Sequence, residues 1–132
     1  MTQYIPGSFL DLFTRLAFGH LATLMPDGSP QLSPLWVDYD GKYLLINSAL
    51  DRVKDKNMRR DGRVAIEVQD PDDPYRYILI RGSVAEITEE GADAHIDKLA
   101  LKYTGKLFQG RVPGQVRVIY KILPDCVTTS KI

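Results

Sequence analysis

The chain has 132 residues, a formal net charge of zero, 44% hydrophobic and 26% charged residues, proportions ordinary for one globular domain. Charge neutrality excludes the global field that gathers nucleic acid or an anionic membrane. A single cysteine, Cys126, excludes an internal disulfide and a multi-cysteine metal site. No apolar run approaches the roughly 20 residues of a membrane-spanning helix, and Pro6 and Gly7 interrupt any secretory signal, so a cytoplasmic setting is expected. A chain of this length has little room for a closed cofactor pocket inside one subunit, and dimerisation is the natural remedy.

Residues 8–17 space Phe9, Leu12, Phe13 and Leu16 as one helical stripe, with Ser8 and Asp11 placed as a capping box. GHLATLM (19–25) is a short strand, PDGS (26–29) a turn, and 30–39 a second strand carrying Pro30 and Pro34. Proline cannot donate to a ladder, so Pro34 marks a sheet edge, a bulge or a break that frees backbone for a ligand. Asp40-Gly41 turns the chain into a third strand, 42–48. A short charged helix over 51–61 has Val53 and Met58 as its apolar anchors. Residues 63–70 alternate as a fourth strand. Tyr75 to Thr88 is the longest strand signal, and Gly82 within it predicts a bulge or bend. The spacing predicts a helix from Thr88 to about Tyr103, with the stripe Ala92, Ile96, Leu99, Ala100 and Tyr103, ended by Gly105. A Gly/Pro-containing connection over 106–114 follows. Residues 115–122 alternate again, with Arg117 and Lys121 opposite the Val116, Val118, Tyr120 face, and the tail CVTTSKI adds a short last strand. Hairpins and one long bent strand do not make the βαβ alternation of a parallel sheet; they favour a small antiparallel barrel with helices outside it.

Catalytic signatures are few. His20 and His95 hold no metal-ligand spacing, and each is expected as a surface or boundary residue. No phosphate-binding glycine loop or nucleophile elbow occurs, and Cys126 has no activating partner near it in sequence. The remaining cluster is Asn47, Ser48, Arg52, Lys54 and Asn57, where a strand exit meets the charged helix. It reads two ways. Arg52, Lys54, Lys56, Arg59 and Arg60 form a solvated basic face, which is the default on pattern alone. Or Arg52, Lys54, Ser48 and free backbone N–H groups cradle an anion. Trp36, Tyr75 and Tyr77 flank this cluster as stacking surfaces for a planar ligand or as core residues.

The order GHLATLMPDGSPQLSPLWVDYDG, a strand, R-x-K-x-x-N, RRDGRVAIEV, DPYRYILIRGSVAEIT and LALKYTGK resembles the pyridoxamine 5′-phosphate oxidase-like superfamily of split β-barrels. Within it, the sequence is most similar to the small oxidoreductases that use the deazaflavin coenzyme F420. The likeness spans roughly residues 9–124. It implies a mainly β split antiparallel barrel of the FMN-binding type with flanking helices, one domain over 1–132, and a homodimer with cofactor grooves at the subunit interface. It implies coenzyme F420, or alternatively FMN, and hydride transfer to or from a small organic substrate. A non-catalytic flavin- or haem-binding carrier is the rival from another class. Carried over by position, Arg52 and Lys54 match phosphate contacts, with Asn57 the polar position after them and Asn47 and Ser48 the strand-end donors. Gln31, Ser33, Pro34 and Leu35 match the segment lining the ring, and Tyr75 and Tyr77 an aromatic region beside ring or tail. Lys102, Tyr103 and Lys106 are candidates for what a second subunit contributes. The chain lacks a match to the C-terminal substrate segment of a true pyridoxamine phosphate oxidase. No residue is singled out as catalytic.

Overall fold

The computed structural model describes residues 2–130. Alternating apolar residues build seven strands there: β1 (Gly19–Leu24), β2 (Pro30–Leu35), β3 (Asp38–Tyr39), β4 (Leu44–Ala49), β5 (Arg63–Gln69), β6 (Tyr77–Thr88) and β7 (Arg117–Thr129). They form one sheet in the order β2-β1-β5-β6-β7-β4-β3, and every neighbouring pair is antiparallel. The two edge strands, β2 and β3, are separated in sequence by only Trp36 and Val37. The chain therefore steps from one edge of the sheet to the other across two residues, which curls the sheet into the expected split barrel. Val37 sits at that step with no exposed surface.

The expected single strand over 30–39 is thus two strands on opposite edges. Pro34 lies on β2, an edge strand, opposite His20 of β1, the kind of strand that tolerates a proline. Gly82 lies where the β6–β7 register shifts between Arg81 and Gly82. A Cβ there would stand 2.5 Å from the Leu123 carbonyl oxygen, so only glycine lets the two backbones approach this closely. The strand expected at 115–122 and the tail strand are one element, β7, which runs through Pro124; Lys131 and Ile132, the end of that tail, lie outside the described residues.

Leu12, Leu21, Leu44, Ile46, Val68, Ile78, Val118, Tyr120 and Ile122 fill the barrel, each worth about 1.5–3 kcal/mol relative to exposure. The first stripe is a 3₁₀ turn, Gly7–Phe13, rather than an α-helix. Phe9, Leu12 and Phe13 are buried by it and Leu16 is exposed. Pro6, not Ser8, stands at its N-cap, and the Asp11 carboxylate, instead of closing a capping box, is taken by Arg76, at 2.5 Å, and by Arg15, at 3.3 Å. The charged helix is α1 (Val53–Arg60), anchored by Met58 while Val53 stays exposed. The second helix, α2 (Ala92–Thr104), buries Ala92, Ile96, Leu99 and Ala100 as expected and ends on Gly105 in the left-handed conformation. It also buries His95, which corrects the surface or boundary placement expected for that residue.

Candidate functional site

Between α1, α2 and the β2–β3 step lies a cleft of about 570 Å³, lined by residues that include Phe18, Pro34, Leu35, Trp36, Asn47, Ser48, Arg52, Lys54, Phe108 and Arg117. One end is cationic. Lys54 extends from the first turn of α1 across to β2, where its Nζ donates to Ser33 Oγ at 3.4 Å. Burial and the neighbouring charges of Arg52 and Arg117 push its pKa down. Arg117 is buried at the start of β7; burial and then the charge of Arg52 lower its pKa as well. Among the described residues neither Arg52, Lys54 nor Arg117 has a carboxylate partner. Asp93 offsets part of the Arg117 charge without pairing with it; three converging cations with no ion-paired carboxylate leave the site net positive, and an anion resolves it.

The local backbone places them. Asp51 has a positive φ of 75° and is the one described non-glycine residue that does. Its N–H donates to the carboxylate of Asp55, at 2.9 Å. That carboxylate is buried on α1 and also receives Arg59 Nε, at 2.9 Å, and the Tyr120 hydroxyl. Burial alone would raise the Asp55 pKa, but the Tyr120, Asp51 and Arg59 hydrogen bonds outweigh it and hold it below the usual carboxylate range. The same contacts push the Tyr120 hydroxyl up, burial first and Asp55 second. Asp55 thus pins the strained turn from which Arg52 and Lys54 enter the cleft.

Ser48 follows Leu44 and Ile46 on the buried side of β4. Its Oγ is buried and has no hydrogen-bond partner. Such an orphan in the wall of a cleft is a donor in search of a ligand oxygen. The other end of the cleft is aromatic. Trp36 stacks on Tyr103 at 5.3 Å and 5°, Phe18 stacks on the same ring at 5.5 Å, and Phe108 meets Trp36 edge-on at 6.3 Å. Phe108 arrives on the 105–114 connection, which Asp97 ties to α2 by accepting from Phe108 N–H at 3.0 Å and from Arg111 at 2.8 Å. Lys102 and Tyr103 are occupied in this support. Lys102 Nζ donates to the carbonyls of Phe13 and Val37 at 2.8 and 2.7 Å, and burial lowers its pKa to about 8. Tyr103 donates to Ala17 O at 2.7 Å.

Of the residues singled out from sequence, Pro34, Leu35, Asn47, Ser48, Arg52 and Lys54 come together on this cleft, and Ser33 touches Lys54. Four do not. Gln31 is paired with Thr23 on the edge of the sheet, at 3.2 Å. Asn57 faces inward from α1, donating to Thr23 Oγ1 at 3.0 Å and accepting from Arg60 at 2.9 Å. Tyr75 is exposed in the loop before β6, and Tyr77 begins β6, paired in register with Gln69. Lys106 lies on the 105–114 connection, outside this lining. Arg117, Phe18 and Phe108 are cleft members that sequence reasoning passed over.

Asn47 links the cleft to a buried cluster. Asp38, on β3, accepts from His95 Nε2 at 3.2 Å and Lys98 Nζ at 3.3 Å. Burial would raise the Asp38 pKa, but the His95 hydrogen bond and the Lys98 charge outweigh it and hold the carboxyl at about 2. Its stabilising contribution is therefore complete above about 3.8 and lost as pH falls through 2. Asp38→Asn is expected to lower the denaturation midpoint at pH 7 and to converge with the parent as pH drops from 4 towards 2, in paired acid-unfolding curves.

A curled antiparallel sheet with edge strands joined across two residues, and a cationic and aromatic cleft beside the split, is a split-barrel architecture. A family profile described as pyridoxamine 5′-phosphate oxidase matches residues 5–125. The chain belongs to this pyridoxamine 5′-phosphate oxidase-like family. Among solved structures it is similar to an F420 reductase, with 35% identity over 94% of this chain and 98% of that chain and a TM-score of 0.84. It is also similar to a conserved hypothetical protein from Mycobacterium tuberculosis, with 26% identity over 98% and 86% and a TM-score of 0.77. A FAD-binding protein from Mesorhizobium loti shares the fold at 20% identity over 98% and 95%, with a TM-score of 0.68.

Proposed function

We propose that this protein is an oxidoreductase that binds coenzyme F420 in the cleft and moves a hydride to or from a small organic substrate. The observation that carries the reading is the cluster Arg52, Lys54 and Arg117, none ion-paired among the described residues, beside the orphaned Ser48 hydroxyl and facing an aromatic wall across one cleft. Arg52, Lys54 and Arg117 neutralise a phosphate, and Ser48 donates to one of its oxygens. Ser33, Pro34 and Leu35 on the β2 edge run along the planar ring, and Trp36 and Phe108 exclude water from it. When bound, the cofactor supplies the hydride chemistry; the chain binds, orients and shields it. Gln31, Asn57, Tyr75 and Tyr77 have no part in this end of the site.

The proposed assembly is a homodimer. The open face of the sheet exposes Leu32 and Leu79 around a shallow groove with Ala22, Ala65 and Cys126, a surface a second copy would cover. This cleft does not suit haem, because its lining includes none of the His, Cys, Met or Tyr ligands the iron takes.

The test is equilibrium titration of the purified protein with coenzyme F420, FMN and haem, followed by fluorescence or absorbance, with light scattering for the oligomer. Saturable F420 binding with weaker FMN binding is expected. Tight FMN binding without F420 binding would make this an FMN enzyme, and binding of none of the three would sink the cofactor reading.

A further inference from the structure

Arg117 reaches the cleft from a buried chain of hydrogen bonds whose direction the chemistry of its two ends determines. Arg117 Nε and Nη2 both donate to one atom of the Asn47 amide, at 3.0 and 2.8 Å. A guanidinium has only donors, so that atom is the carbonyl oxygen. The other amide atom faces the Ala92 carbonyl at 2.9 Å, and a carbonyl has only acceptors. The amide orientation is therefore specified from both sides. Its Nδ2 then donates its second hydrogen to His95 Nδ1, at 3.1 Å. The imidazole must keep a lone pair at Nδ1 and its proton at Nε2, which donates to Asp38 Oδ2 at 3.2 Å. Every proton in the chain from Arg117 to Asp38 points the same way.

We propose that His95 and Asp38 are positioning residues of the cleft: through Asn47 they hold the Arg117 guanidinium at its anion end, and protonation of the imidazole releases it. The inference rests on the reading of that end as a phosphate site. A proton on Nδ1 would face the Nδ2 hydrogens of Asn47. Relief requires the amide to turn over, which presents N–H groups to Arg117 and to the imidazole an oxygen that Arg117 has lost. The charged groups around the ring are Asp38 on β3, Arg117 on β7 behind Asn47, and on α2 itself Lys98 and Lys102 towards Asp38 and Asp93 towards Arg117. The ring lies between Asp38 on one side and the Asn47 amide that carries Arg117 on the other, and that amide is the element with two orientations.

The direct experiment is nitrogen-15 NMR of the whole protein without ligand, from pH 8 to pH 5. At pH 8 the expected result is His95 protonated at Nε2 only and a slowly exchanging Arg117 Nε–H. On acidification the Arg117 signal is expected to vanish in the same step in which His95 takes its second proton. An Nδ1-protonated tautomer at pH 8, or an Arg117 signal indifferent to the His95 titration, overturns the proposal. The second arm is titration with FMN and with coenzyme F420 at pH 8 and pH 5.5. His95→Ala is expected to bind roughly tenfold more weakly than the parent at pH 8, the weight of one charge-assisted hydrogen bond. His95→Asn, whose amide oxygen can take the Asn47 N–H and does not titrate, is expected within about twofold of the parent at pH 8 and to lose less on acidification. Comparing variants on one probe cancels any titration of the phosphate. A parent that binds while His95→Ala binds equally well defeats the positioning role and leaves the phosphate reading standing. A parent that binds neither probe defeats both.

Discussion

Asp55→Ala is expected to destabilise the protein by about 3 kcal/mol, which for a chain of this size lowers the thermal midpoint by roughly 10 °C. The carboxylate is buried and has three donors on three parts of the chain: the Tyr120 hydroxyl in the barrel core, Arg59 on its own helix, and the Asp51 N–H in the strained turn. Removing it leaves the Tyr120 hydroxyl without an acceptor among fully buried neighbours, and an unmet buried polar group costs about 1–3 kcal/mol. It also releases the turn at Asp51, whose positive φ is tolerated because the carboxylate holds it. Tyr120→Phe removes only one donor and is expected to cost about half as much. Denaturant unfolding of the two single variants and the double variant checks the coupling, since the double should fall short of the sum. A loss below about 0.5 kcal/mol for Asp55→Ala would mean the carboxylate is structurally idle. The sign with pH follows from its depressed pKa: the penalty is full above the unfolded carboxylate value and fades as pH falls below about 4.

Much of the barrel is legible from alternation. The bulge was legible at Gly82, because only a residue without a Cβ permits the contact with Leu123. The helix stop was legible at Gly105, because its left-handed backbone favours glycine. What alternation could not show is that Trp36 and Val37 carry the chain between opposite edges of one sheet. That step is a property of closure, and no local pattern encodes it. Arg117 was misplaced for the same reason. Alternation put it opposite Val116 and Val118, hence outward, and outward on an open sheet means solvent. In this fold α2 and the 105–114 connection lie over that end of the sheet, so outward means into the cleft. His95 lies beside the apolar stripe of α2, and its burial is compensated by Asp38 and Asn47, both far away in sequence. Asn57 stands three residues from Lys54 and shares a helical face with it on paper, yet its amide satisfies Thr23 in the interior. Spacing placed the cations; it could not tell a ligand donor from a donor already engaged.

Lys54→Met is expected to weaken cofactor binding by roughly ten- to a hundredfold, the value of a charge-assisted hydrogen bond of about 1.5–3 kcal/mol, while leaving the ligand-free protein as stable as the parent or more so. Both halves come from the same geometry. Lys54 is half-buried beside Arg52 and Arg117, and burial and those two charges depress its pKa. Without an anion the ammonium is therefore a source of repulsion, and its one polar contact is a 3.4 Å hydrogen bond to Ser33. Methionine retains the apolar stem that packs between α1 and β2 and removes only the charge. With an anion the balance reverses, because the same repulsion becomes attraction shared among three cations. A residue of purely structural use behaves in the opposite way, losing stability without touching affinity. Thermal melts of the ligand-free proteins and parallel titrations with coenzyme F420 and FMN at two salt concentrations separate the cases. The variant should also show a shallower salt dependence, having one cation fewer at the phosphate. Unchanged affinity together with lost stability would assign Lys54 to the scaffold and return 52–60 to a solvated basic face.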